Sequence, residues 1–227
     1  MFPVCLIPVA YLGLAAYQGT LGANPLEVIT HTTGDWTIRF LLITLCITPL
    51  RQLSKQYWLI QYRRMLGLFA FFYGTLHLTT YLWFDKFFVW HDIVADIQKR
   101  KFITVGFLGF VLMIPLAVTS TRGMIRRLGK RWTAIHRLIY VSATAGVIHY
   151  YWLVKADHRL PLTYAAILAA LLAYRIGKWA RPKLLAGRVA AAPRNARLLR
   201  RNLDAPSQDY FGKAKKQRLP RYSDFQA

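Results

Sequence analysis

The chain has 227 residues, 55% of them apolar, and a formal net charge of +22 from 31 Lys and Arg against 9 Asp and Glu. A soluble domain of this length needs a polar surface that the first 180 residues do not supply, and apolar runs near twenty residues, the length that crosses a hydrocarbon core, recur along them. The basic residues lie between and after those runs, so the charge reads as membrane topology and not as a nucleic-acid surface.

Six spans are predicted, at roughly 3–19, 37–53, 65–84, 102–120, 133–153 and 160–179. Their apolar runs are continuous and lack strand alternation, which makes them helices, since only helices and closed barrels satisfy the backbone in lipid. The expected fold class is all-α, a polytopic membrane helical bundle of about six transmembrane helices over residues 1–180. No positively charged region precedes the first run, so it reads as a short span and not as a cleaved signal peptide. The stretch GANPLEVITHTTGDW is expected to be a loop, with His31 in a Thr-Gly turn. Segments 51–64, 121–137 and 175 onward carry four, six and fourteen basic residues, and alternating helices put all three on one side. The positive-inside bias makes that side cytoplasmic, with both termini on it.

Trp36, Trp83, Trp132, Trp152 and Trp179 fall at predicted span ends and Trp58 near the surface, as interface anchors do. FFVWHDIVADIQ, with Trp90, is read as a periplasmic stretch lying on the membrane surface. Residues 181–227 hold twelve basic and three acidic residues and form a basic cytoplasmic tail, partly disordered or surface-helical, suited to anionic membrane lipid. Cys5 and Cys46 are apolar fillers, and the lack of a C-x-x-C-H stretch excludes covalently attached haem. No internal repeat is visible.

Three histidines lie inside predicted spans: His77 in the third, His136 and His149 in the fifth. Ionisable groups are costly in a bilayer and mark function by default. His136 and His149, 13 residues apart, are separated by about 20 Å of rise on one helix, so they serve two sites and not one. The third and fifth spans run in the same direction, and His77 sits at the depth of His149. These two are predicted to clamp one b-type haem between facing helices near the periplasmic face. His136 marks a second site near the cytoplasmic face, without an obvious second ligand. Arg131 and Arg137 flank it in sequence, Arg63 and Arg64 lie at the counterpart depth of the third span, and all four suit haem propionates, a flavin phosphate or a quinone oxygen. His91 and His158 read as solvated loop residues. No Rossmann fingerprint, Ser-His-Asp set or H-E-x-x-H motif occurs, so the chain reads as a non-catalytic electron conduit with an outside donor and acceptor.

The stretches LLITLCITPLR, RRMLGLFAFFYGTLHLTTY and AVTSTRGMIRRLGKRWTAIHRLIYVSATAGVIHYYWLVK, with the loop GANPLEVITHTTGDW, resemble one family over residues 13–180. It is that of the haem-binding membrane subunits of the bacterial periplasmic methionine-sulfoxide reductase system, within the ferric-reductase-like transmembrane superfamily. The resemblance implies haem b on His77, His136 and His149, and FMN on residues it does not identify. It also implies electrons taken from the quinone pool or a cytoplasmic flavin reductase, and delivered to a periplasmic molybdopterin subunit that reduces methionine sulfoxide in oxidised proteins. The tail after residue 180 is longer than the family pattern. Two other readings use the same histidines: a ferric-reductase-like or superoxide-producing cytochrome b with another acceptor, and a haem-free transporter that relays protons.

Overall fold

The computed structural model describes residues 1–191, with side chains through residue 180. Nine α-helices and no strand occur among the described residues. They are α1 (Phe2–Tyr17), α2 (Pro25–Ser54), α3 (Tyr62–Thr80), α4 (Trp90–Lys99), α5 (Lys101–Val118), α6 (Arg122–Leu128), α7 (Lys130–Ile135), α8 (Leu138–Leu153) and α9 (Arg159–Ala191). A 3-10 turn, Tyr57–Gln61, leads into α3 and a π-helical turn, Tyr81–Asp85, leaves it. Met1–Tyr174 form one compact unit, and the chain from Arg175 belongs to a second. The segments Tyr57–Asp85, Lys101–Val118 and Arg159–Ala180 are each long and apolar enough to cross a membrane, and α1 is shorter but apolar. All six predicted spans fall on helices of what is an all-α membrane bundle. The tail expected from Arg181 is helical as far as Ala191, and the rest of it lies outside the described residues.

Two expectations are corrected. The stretch GANPLEVITHTTGDW is not a loop with a Thr-Gly turn: α2 begins at Pro25, twelve residues ahead of the predicted span. Asn24 is its N-cap and Pro25 stands at the first helical position, where its missing N–H is no loss. Asn24 Oδ1 accepts from the Glu27 N–H at 3.4 Å, and Asn24 Nδ2 donates to Glu27 Oε2 at 2.9 Å, a reciprocal cap. His31, Asp35 and Trp36 are therefore helical residues. The second correction is that the predicted fifth span is broken: α7 ends at Ile135, α8 starts at Leu138, and His136 and Arg137 lie at the junction. The rise along one ideal helix between His136 and His149 does not apply across this break.

α2 and α3 pack through large side chains. Phe40 stacks on Tyr73 (5.3 Å between ring centroids) and on Phe69 (5.8 Å), with Trp36 against Phe40 (5.6 Å). α5 and α8 pack through small ones, as membrane helices do where backbones approach closely. Ser142 Oγ donates to the Gly109 carbonyl at 2.8 Å, and Ala145 faces Gly109. α1 is tied to the bundle by Phe2 against Phe69 (5.1 Å between ring centroids) and by the Tyr73 phenol. The Tyr73 hydroxyl donates to the Cys5 carbonyl (2.8 Å) and accepts from the Val9 N–H (3.2 Å), standing between two groups that an uninterrupted helix would pair directly. α4 covers one end of the bundle: Lys86 Nζ meets Asp96 Oδ2 at 2.6 Å, and the Tyr81 hydroxyl donates to the same oxygen at 3.2 Å.

Candidate functional site

His77, from α3, and His149, from α8, face each other with ring centroids 6.1 Å apart and planes crossed at 80°. His77 Nδ1 lies 2.9 Å from the carbonyl oxygen of Thr30 on α2, and His149 Nδ1 lies 2.7 Å from that of Phe102 on α5. A carbonyl only accepts, so Nδ1 carries the proton in both rings and Nε2 keeps its lone pair. Metal-ligating imidazoles have this form, with the distal N–H held by a carbonyl or carboxylate that fixes tautomer and orientation.

Both rings line a cavity of about 310 Å³ whose walls include Gly34, Gly74, Gly106, Gly109 and Gly146. Two imidazoles on opposite sides of one metal, each bonded at about 2 Å, stand with ring centres roughly 6 Å apart, the spacing found. Among the described residues no group of three or more His, Cys, Asp or Glu converges to hold a bare metal ion. Two imidazoles across a glycine-walled gap suit a metal whose other ligands come from a flat macrocycle, and haem fits these residues.

His136 is elsewhere. It does not line the cavity; its ring stacks on Trp132 (3.9 Å between centroids) and its Nδ1 meets the Trp132 carbonyl at 3.1 Å. Trp132 in turn donates Nε1–H to the Thr119 carbonyl at 3.0 Å, which gives this tryptophan a packing role beyond a lipid anchor. Arg63 is close enough to act on His136 electrostatically and is half-buried, whereas Arg64, Arg131 and Arg137 are exposed, and none of the four reaches the cavity. Of the histidines set aside in sequence, His91 is fully solvated, while His158 is half-buried against Tyr151. His31 lies at the cavity rim, within reach of Glu27 at 3.8 Å.

Sequence reasoning missed a polar network inside α2. Arg39 Nε donates to the Tyr164 hydroxyl on α9 at 2.9 Å, its Nη2 lies 3.6 Å from Asp35 Oδ2, and its guanidinium sits 5.0 Å above the Trp36 ring. Asp35 also lines the cavity. The Asn-Pro-x-Glu cap that starts α2 early was the available signal. Sequence reasoning also missed a repeat. Thr32, Gly34, Gly74 and His77 recur 72 residues later as Thr104, Gly106, Gly146 and His149. Each histidine bonds a carbonyl 47 residues before it. α2–α3 and α5–α8 thus present their histidines with the same spacing, although few positions outside the site recur.

Residues 33–147 match the ferric reductase like transmembrane component family. A protein of Herminiimonas arsenicoxydans named protein-methionine-sulfoxide reductase heme-binding subunit MsrQ is 55% identical over 78% of this chain and 82% of its own. Proteins of the same name are 50% identical in Xanthomonas campestris pv. campestris (83% of this chain, 89% of the relative) and 52% identical in Rhodospirillum rubrum (78% and 85%). No solved structure matches. With identity of this level over most of both chains, the chain belongs to the MsrQ family of heme-binding subunits within the ferric-reductase-like transmembrane proteins.

Proposed function

We propose that the chain is the transmembrane electron-transfer subunit of a methionine-sulfoxide reductase system, with His77 and His149 as the pair that would hold one haem b. The observation that carries this reading is the pair of opposed imidazoles, each with Nδ1–H committed to a backbone carbonyl and Nε2 left free. Haem, when bound, supplies reversible one-electron chemistry within the bundle. Thr30 and Phe102 hold the ligand tautomers. The walls of the cavity are largely apolar, and Ile93 of α4 is buried against it.

The subunit takes electrons from the quinone pool or a cytoplasmic flavin reductase and delivers them to a periplasmic molybdopterin subunit that repairs oxidised periplasmic proteins. It does so from the bacterial inner membrane with both termini cytoplasmic. His136, with Arg131 and Arg137 near it in sequence and Arg63 and Arg64 at the start of α3, marks the cytoplasmic entry, as ligand of a second haem or neighbour of FMN or quinone. Residues 1–180 are the membrane domain and 181–227 a basic extension held to anionic lipid.

Quantifying haem and flavin per purified chain tests this reading. Wild type is expected to show a reduced b-type absorption band, and His77→Ala and His149→Ala are each expected to lose the same haem. A colourless wild-type protein would refute it in favour of a proton-relaying transporter. Loss of different haems in the two variants would break the pairing.

A further inference from the structure

The two histidines reach their carbonyl partners by the same route. Thr30 lies four residues before Gly34, and Phe102 four residues before Gly106. Inside a helix the carbonyl of residue i already accepts the N–H of residue i+4. A donor from a neighbouring helix meets its second lone pair over residue i+4; at Thr30 the Thr33 hydroxyl of the same helix also donates to that oxygen at 3.0 Å. At both places residue i+4 is glycine and the incoming donor is an imidazole. A Cβ on Gly34 would stand 3.1 Å from His77 Nδ1 and Cε1. A Cβ on Gly106 would stand 2.5 Å from His149 Nδ1 and 2.9 Å from its Cε1, closer than such atoms approach. Gly67 and Gly146 would meet only ordinary van der Waals neighbours at 3.7 and 3.8 Å, and Gly13 nothing within 4 Å.

We infer that Gly34 and Gly106 are positioning residues for the haem ligands, each forming the seat that lets one imidazole donate Nδ1–H to the neighbouring helix backbone and present Nε2 to the cavity. This rests on the ligand pair proposed above. It adds that ligand orientation is set from α2 and α5, which supply no ligand themselves, and that the two seats differ in tolerance. His77 accommodates a methyl group at residue 34 by giving a few tenths of an ångström. His149 has no such room: the added Cβ would lie inside contact distance of both its Nδ1 and its Cε1, so the ring itself must shift.

The test uses the full-length chain purified in detergent, with haem per chain, the ferric low-spin electron paramagnetic resonance signal and the reduction midpoint potential as readouts. Gly106→Ala is expected to lower haem per chain at least twofold and to alter the resonance signal of what remains. Gly34→Ala is expected to keep its haem with a smaller change of signal and potential, and Gly13→Ala to match wild type. Wild-type haem content, signal and potential in Gly106→Ala would overturn the inference. If His77→Ala and His149→Ala lose haem in the same series, the ligand pairing survives that result; if they keep it, pairing and inference fall together. Folding is controlled by Gly106→Ala in a His149→Ala background, where the methyl group meets the space the imidazole left. Gly106→Ala is expected to lower thermal stability with His149 present and to be neutral without it. Equal destabilisation in both backgrounds would make Gly106 a general packing residue and overturn the inference.

Discussion

The α2–α3 and α5–α8 pairs hold their histidines in the same way and hold each other together differently. The first pair is filled by rings, with Trp36, Phe40, Phe69 and Tyr73 in one stack, and the second by Gly109, Ser142, Ala145 and Gly146 in near backbone contact. The imidazole seats, not the helix contacts, are the features common to both. A ligand set at the middle of a bundle demands one local geometry, while the surrounding packing is free to be met by volume in one half and by proximity in the other.

Three changes sharpen that contrast. The largest effect is expected in the aromatic half: Phe40 is 4% exposed and touches three other rings, so Phe40→Ala removes about 3–5 kcal/mol of stability. Unfolding in detergent measures it, and a loss under about 1 kcal/mol would show that the ring stack is not what binds α2 to α3. Next comes Gly109→Ala in the small-residue half. The new Cβ would stand 3.2 Å from the Ala145 Cβ, so α5 and α8 must part, at a cost of about 1–3 kcal/mol. Gly74→Ala in the aromatic half meets its neighbours no closer than 3.5 Å and is expected to be neutral. Equal costs for the two substitutions would erase the distinction between the halves.

A further, smaller effect than that of Phe40 or Gly109 belongs to neither half but to α4. Lys86 holds the Asp96 carboxyl below its usual value through a charge-assisted hydrogen bond, helped by Arg100 and opposed by desolvation. A depressed carboxylate stabilises the fold at pH above its unfolded value of about 4 and loses that contribution as pH falls through the lower folded value. Hydrogen exchange of α4 is expected to quicken below about pH 4 in wild type and to lose that dependence in Asp96→Asn.

Much of this was legible in the sequence because helical rise is fixed. Counting thirteen residues from Arg64 put His77 at the depth of His149, and apolar length alone located the six long helices. The beginning of α2 was lost because hydropathy starts the span at Thr37, whereas the Asn24–Glu27 cap starts the helix at Pro25. The break at His136 carries no proline or glycine, so nothing local announced it. The repeat escaped notice because glycine and histidine recur for geometric reasons while the residues between them answer to different packing.

α5 has 18 residues and α8 only 16, so this pair spans about 27 and 24 Å along its axes, against roughly 30 Å of hydrocarbon in a typical bilayer. Lipid beside these two helices must thin, or flanking side chains must stretch outward to meet the headgroups. The half of the bundle with the least tolerant ligand seat is therefore also the half where membrane thickness bears most directly on protein geometry.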